Sequence, residues 1–360
     1  MAKAGDPVRI GTKTLKNRLT MAPTVKFLAG NDGIVTDWFV RHYAERARHS
    51  AALICVEATC VTPEARLAPT QLGLWNDGQI PGHARLAAAC HEYDCVVIPQ
   101  LHFAGLSTHP ACGPLTSPSE TDRVTRAGKV HVPAMTRDDI RRAVDLFVFA
   151  AVRAQKAGYD GVQLHACHSY LINDFASGVN TRDDEYGGDA HRRARLGSDI
   201  IRGIREACGQ DFLISARVSG FDPDLASSFA AAEEYVAAGC DYLQVSNGLA
   251  PLDAIPHDDS LPYNRVASLG VRMHERFRGV VPVSCVNCLN TPEKVNHILN
   301  NDLCDTVDLA RPLLADPAFC EAVLNGTPYR GCRECARCGF GPVEKHYCTA
   351  DSAAFSELYK

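Results

Sequence analysis

Two imidazoles three residues apart, His165 and His168, and a phenol two residues further on, Tyr170, stand where the apolar run Val162-Gln163-Leu164 ends. Imidazole N–H groups can hold a carbonyl oxygen that gains negative charge, and a phenol can hand a proton to a neighbouring carbon. Two other uses of the pair compete. One is ligation of a metal, for which no nearby carboxylate completes a zinc triad; the other is a plain structural role for satisfied polar groups at a strand end. A second set of reactive residues lies near the C-terminus, where Cys332, Cys335, Cys338 and Cys348 form C-x2-C-x2-C-x9-C. Thiolates separated by two residues can turn toward one centre, and a fourth can close a tetrahedral shell. Taken alone, this spacing suits zinc and a 4Fe–4S cluster equally. Most of the remaining cysteines, among them Cys55, Cys60, Cys90, Cys240 and Cys304, sit singly in apolar segments and read as small core hydrophobes.

Such residues need a frame. After an opening hairpin around Val8-Arg9-Ile10 and Thr14-Leu15, one statement repeats eight times: a short β-branched apolar run, a polar or glycine-containing loop, and a helix-period stretch. Strands are predicted at 19–23, 52–58, 96–101, 161–165, 212–218, 242–246, 281–286 and 306–310, with helices at 38–49, 138–157, 192–208, 230–238 and 292–299. Thr136 ahead of Arg137-Asp138-Asp139, and Thr291 ahead of Pro292-Glu293, are expected helix caps. Strands alternating with helices pair in parallel, and eight of them close on themselves. The fold class is therefore α/β: a TIM (β/α)8 barrel over 1–327, followed by a short cysteine-rich segment over 328–360. Long loops at 104–135 and 168–190 follow barrel strands at their C-terminal ends, the face on which such barrels carry active sites.

Composition narrows the partners. At 360 residues and 46% hydrophobic, the chain can bury one large core. A net charge of -5 and a pI near 6.3 give no basic field for nucleic acid, and no run of about 18 apolar residues offers a membrane span. Small molecules or proteins are the expected partners. The start Met-Ala-Lys-Ala-Gly-Asp lacks the apolar stretch of a secretory signal, so a cytoplasmic location with reduced thiols is expected.

The string HACHSYLINDF over 165–175, followed by NTRDDEYGGDAHRRARL over 180–196, resembles the fourth-strand signature of the old yellow enzyme family. GTKTLKNRLTMAP near the start, PQLHFAG over 99–105 and TVDLARPLLADPAF over 306–319 are similar to further motifs of that family, in the expected order. The resemblance implies FMN on the C-terminal mouth of the barrel. Pro23, Thr24, Ala58, Gln100 and Arg217 would contact the isoalloxazine, with Gln100 on the pyrimidine edge and Arg217 placing positive charge near N1. The competing reading of Arg217, a charged residue inside an apolar strand that needs a partner, is an ordinary buried ion pair. Asn287, Ala310 and Arg311 would lie at the phosphate, the first two standing where the family commonly has glycine. The implied reaction is reduction of an activated C=C bond: hydride from reduced FMN to the β-carbon, His165 and His168 on the substrate oxygen, and a proton from Tyr170.

Other departures from the family pattern are Val25 in place of a redox-tuning cysteine, Phe103 and Leu106 in place of a frequent histidine and arginine, and the unusual Lys26 and Phe27. These four last residues are expected to line the region that decides the substrate. The cysteine set after the eighth strand resembles the branch containing 2,4-dienoyl-CoA reductase, trimethylamine dehydrogenase and the flavin enoate reductases, which implies a 4Fe–4S cluster on Cys332, Cys335, Cys338 and Cys348. Those relatives carry a further FAD- and nucleotide-binding half, and no G-x-G-x-x-G motif after a strand replaces it in this sequence. Electrons would then come from NAD(P)H acting directly or from a reduced electron-transfer protein or subunit, or the sequence is part of a longer enzyme. Two alternatives to the ene-reductase follow from the same motifs. One is an amine dehydrogenase or demethylase passing electrons to the cluster; the other is a non-catalytic electron-transfer subunit.

Overall fold

The computed structural model describes residues 3–125, 128–256, 260–335, 338 and 348. Two short strands, β1 (Val8–Ile10) and β2 (Lys13–Leu15), form the opening antiparallel hairpin. Barrel strands follow as β3 (Leu19–Met21), β4 (Leu53–Cys60) and β5 (Val96–His102). A second hairpin, β6 (Thr121–Thr125) and β7 (Gly128–Val132), interrupts the series before β8 (Gly161–Ala166), β9 (Leu213–Ser219), β10 (Tyr242–Ser246), β11 (Val283–Val286) and β12 (Thr306–Leu309). β3, β4, β5, β8, β9, β10, β11 and β12 pair in parallel and in sequence order, and β12 closes on β3. This is the eight-stranded α/β barrel the sequence predicts.

Parallel strands covered by helices are buried on both faces, and β4, β8, β9 and β10 are buried at every position. Where β8 starts, a Cβ on Gly161 would come within 2.1 Å of the Leu213 carbonyl, so only glycine admits the neighbouring strand there. Val8, Ile10 and Leu15 of the first hairpin pack with Leu53, Leu213 and Tyr242 and so plug the N-terminal end of the barrel. The opposite end stays open for chemistry. The two expected caps are in place: Thr136 accepts from the Asp139 N–H at 3.2 Å and Thr291 from that of Lys294 at 3.3 Å.

Element bounds differ in instructive places. The seventh barrel strand starts at Val283 rather than 281, because Pro282 has no N–H to give the ladder. A helix expected from 230 begins at Leu225, where Asp224 caps it through the Ser227 N–H at 2.7 Å. The stretch 192–208 divides into Ala190–Arg193 and Arg195–Cys208. Neither long loop is without structure: the first holds the β6–β7 hairpin and the second a helix over Leu171–Ala176. That hairpin is polar and largely exposed, so no apolar alternation announces it.

Candidate active site

Inside the barrel a polar layer replaces the usual aliphatic filling. Gln100 donates to the Gln163 amide oxygen at 2.8 Å, Gln163 donates to Gln244, and Gln244 donates to Asp308 at 2.7 Å. Thr20 also donates to that Asp308 oxygen. Burial pushes the Asp308 carboxyl up to about 6, with the Arg217 charge opposing. Arg217, on β9, is 6% exposed, and its Nε and Nη1 have no partner. Asp308 Oδ2 is also unpartnered. A buried guanidinium in that state calls for an electron-rich group opposite it.

A cavity of about 210 Å³ lies there, bounded by Arg217, Ser246, Asn287, Asp308, Ala310 and Arg311. Arg311 donates to the Asn287 side chain at 2.8 Å and to the Cys288 sulfur at 3.2 Å. Asn287 takes φ 91° and Cys288 φ 55°, so the turn after β11 keeps a left-handed backbone although neither residue is glycine. Pro23 and Thr24 follow β3 half-buried, while Ala58 is buried in β4 beside the register shift at Glu57. Cys332 reaches the same cavity from the C-terminal segment.

Next to the cavity, β5 and β8 end side by side and the predicted trio converges. The His165 and His168 rings share a hydrogen bond between Nε2 and Nδ1 at 3.0 Å, and His168 Nε2 lies 2.8 Å from the Ser246 hydroxyl. The Tyr170 ring packs edge-on at 4.5 Å from His165. His168 and Ser169 both take φ 63°, which folds the chain back so that His168 meets His165. That turn is held by Asn173, which accepts from the Ser169 N–H at 2.8 Å and donates to Asp222 at 2.8 Å. Strain of about 1–3 kcal/mol per left-handed non-glycine residue persists where surroundings over-determine it. Ser246 belongs to both groups and joins the trio to the cavity.

Sequence reasoning missed His102, which sits 3.1 Å from His165, Nδ1 to Nδ1, and edge-on to Tyr170 at 4.4 Å. It lay within the PQLHFAG motif, but only the β5–β8 pairing shows its neighbour. Lys26 was expected at the mouth; it is 1% exposed and packed with Glu57 instead. Burial pushes the Lys26 ammonium down and the Glu57 carboxyl up, and their mutual attraction opposes both shifts. Phe103 lines a different cavity of about 520 Å³ beneath the β6–β7 hairpin.

Cys332, Cys338 and Cys348 are half-buried and Cys335 is exposed. Burial raises the Cys332 and Cys338 thiols; Cys348 adds to both shifts, while Arg311 opposes them. Among the described residues, the group whose ligand atoms come within 4.8 Å of one another is His165, Cys167 and His168.

Desolvation dominates the titration of the trio. It lowers His168 to about 3, lowers His165 well below its usual value, and raises Tyr170 to about 12. His102 is likewise lowered to about 3. Unfolded imidazoles take up protons near pH 6.5, roughly, whereas His102 and His168 hold out to about 3. The stability these rings contribute is therefore complete above about pH 6.5 and is lost as the pH falls toward 3. Histidine NMR should find His102, His165 and His168 neutral from about pH 7.5 down to about 5; a midpoint above about 6 for any of them would contradict this account.

A parallel barrel whose C-terminal end holds an Arg-lined cavity beside an imidazole and phenol cluster has the form of a flavin-dependent oxidoreductase. Residues 5–329 match the NADH:flavin oxidoreductase / NADH oxidase family, and the chain belongs to it. An NADH oxidase of Thermoanaerobacter brockii is 33% identical over 345 residues, which are 93% of this chain and 52% of that protein. The chain thus spans about half the length of that relative. An NADPH dehydrogenase of Bacillus cytotoxicus is 30% identical over 326 residues, 89% of this chain and 91% of that one. Among solved structures, an old yellow enzyme homologue of Zymomonas mobilis superposes with a TM-score of 0.77 at 27% identity, covering 91% of this chain and 94% of the other. A 2-naphthoyl-CoA reductase superposes with a TM-score of 0.82 at 23% identity over 92% of this chain and 53% of that chain, a likeness of fold. The unpartnered Arg217 donors and the Asn287–Arg311 turn suit the electron-rich and anionic parts of the family's flavin. Among the described residues, no helix is long and apolar enough to cross a membrane.

Proposed function

We propose that this protein is an FMN-dependent ene-reductase acting on an α,β-unsaturated carbonyl compound or enoate. One observation carries the reading: two imidazoles and a phenol crowd together beside a cavity faced by a buried guanidinium whose Nε and Nη1 have no partner. When bound, FMN supplies hydride to the alkene β-carbon. His165 and His168 hold the substrate oxygen, and donors fixed in a dry pocket stabilise the charge developing there by a few kcal/mol. Tyr170, protonated at neutral pH, delivers its hydroxyl proton to the α-carbon. Gln100 and Arg217, with Pro23, Thr24 and Ala58, hold the isoalloxazine, and Asn287, Ala310 and Arg311 hold the phosphate. Cys332, Cys335, Cys338 and Cys348 ligate a 4Fe–4S cluster, for which their four soft donors have the right chemistry. NAD(P)H is the electron donor, as the names of the NADH oxidase and NADPH dehydrogenase relatives suggest.

Anaerobically purified protein, photoreduced and mixed with an enone, should reoxidise within a single turnover, while amines leave the oxidised protein unchanged. Reduction by an amine, or no response to any enone, overturns the reading. Iron and sulfide counts on the same sample should each approach four per chain; zinc in their place rejects the cluster and leaves the barrel chemistry standing.

A further inference from the structure

A third imidazole stands behind the His165 and His168 pair. His102, at the C-terminal end of β5, is fully buried, and its Nδ1 lies 3.1 Å from Nδ1 of His165. From there the run continues through His165 Nε2 to His168 Nδ1 at 3.0 Å, and through His168 Nε2 to Ser246 Oγ at 2.8 Å. All three rings are held neutral by burial, so each has one N–H and one lone pair. Every ring nitrogen but one is engaged; the exception, His102 Nε2, is buried without a partner.

Because His165 is bonded on both sides, the tautomers are locked to one another. If His102 donates from Nδ1, His165 accepts at Nδ1 and must carry its proton on Nε2. His168 then accepts at Nδ1, carries its proton on Nε2 and donates to the Ser246 oxygen. If His102 accepts instead, His165 and His168 are both protonated on Nδ1, and neither has a hydrogen on Nε2. The position of a single proton on His102 thus decides what the pair can offer. A substrate oxygen can replace the Ser246 oxygen, or His168 Nδ1, as acceptor only in the first arrangement.

We propose that His102 is a positioning residue whose Nδ1–H fixes His165 and His168 as Nε2–H tautomers, ready to donate to a substrate oxygen. The choice between the two runs rests on the ene-reductase reading, since only the first presents donors. A merely structural His102 would fill space without setting tautomers. Nor does the arrangement require a charged ring, so the device works across neutral pH.

The test is a long-range 1H–15N correlation spectrum of the FMN-loaded enzyme labelled with 15N-histidine, near neutral pH. His165 and His168 should each show a bare Nδ1 and a protonated Nε2. His102→Asn, whose amide N–H can reach the same nitrogen, should keep that pattern. His102→Leu, which has no donor, should lose it, and should raise the KM for an enone about tenfold while the asparagine variant stays within about threefold. Flavin content and melting temperature of both variants report whether they fold. Protonation of His165 on Nδ1 in the wild type, or an unchanged pattern in His102→Leu, overturns the inference whatever the enzyme reduces. A His102-dependent pattern in a protein that leaves enones untouched supports the tautomer lock and sinks the ene-reductase reading instead.

Discussion

Replacing Tyr170 by phenylalanine is expected to slow reoxidation of the reduced enzyme by an enone on the order of 100- to 10,000-fold, with reduction by NAD(P)H unchanged. The substitution is narrow. The ring that packs against His102 and His165 at 4.4 Å and 4.5 Å stays, and only the hydroxyl goes. Burial holds that phenol up to about 12, so it carries its proton throughout the neutral range and is available as a general acid. His102, His165 and His168 cannot take over, because burial keeps all three deprotonated at neutral pH. Stopped-flow measurement of each half-reaction separates the effects. A loss shared by both halves would assign Tyr170 to cofactor placement, and a loss in neither would remove it from proton transfer.

The barrel was legible because its strands are buried on both faces, so each reads as an apolar run between turn residues. Likewise His165, His168 and Tyr170 could be found by type, since they occupy one stretch of chain after one strand. What stayed hidden depends on pairing across strands. Gln100 stands opposite Gln163 and Leu101 opposite Leu164, and that register carries His102 to the side of His165. Nothing in the spacing of 63 residues between them signals contact. Lys26 was misplaced for a related reason. Its backbone N–H donates to Glu57 at 2.9 Å, and Phe27 at φ 56° turns the loop, so the ammonium goes inward to a carboxylate 31 residues away. A charged residue after a barrel strand looks like mouth lining until the strand beside it is known to hold the opposite charge. The polar layer from Gln100 to Asp308 was half visible: the amides could be read off their strands, but their order around the barrel follows from closure.

Arg217→Met is expected to weaken flavin binding roughly 100- to 20,000-fold, the equivalent of losing two hydrogen bonds to a charged donor at about 1.5–3 kcal/mol each. The flavin-free chain should tell the opposite story. There the guanidinium is 6% exposed with Nε and Nη1 unpartnered, a desolvated charge that the fold tolerates rather than uses. Methionine fills similar length without that liability. Its drawback falls on Asp308, whose carboxyl burial already raises to about 6 against the pull of Arg217. Without the cation Asp308 rises further and is protonated at neutral pH, and its Oδ1 can still accept from Gln244 and Thr20. The melting temperature of the flavin-free variant should therefore match or exceed that of the flavin-free wild type, while the difference between loaded and unloaded protein collapses. Flavin fluorescence titration and thermal melts with and without FMN measure both. If the variant binds FMN as the wild type does, Arg217 faces no cofactor. If instead the flavin-free variant melts more than about 5 °C lower, on the order of 3–4 kcal/mol for a chain of this size, then Arg217 belongs to a structural ion pair with Asp308, the competing reading of a charged residue in that strand.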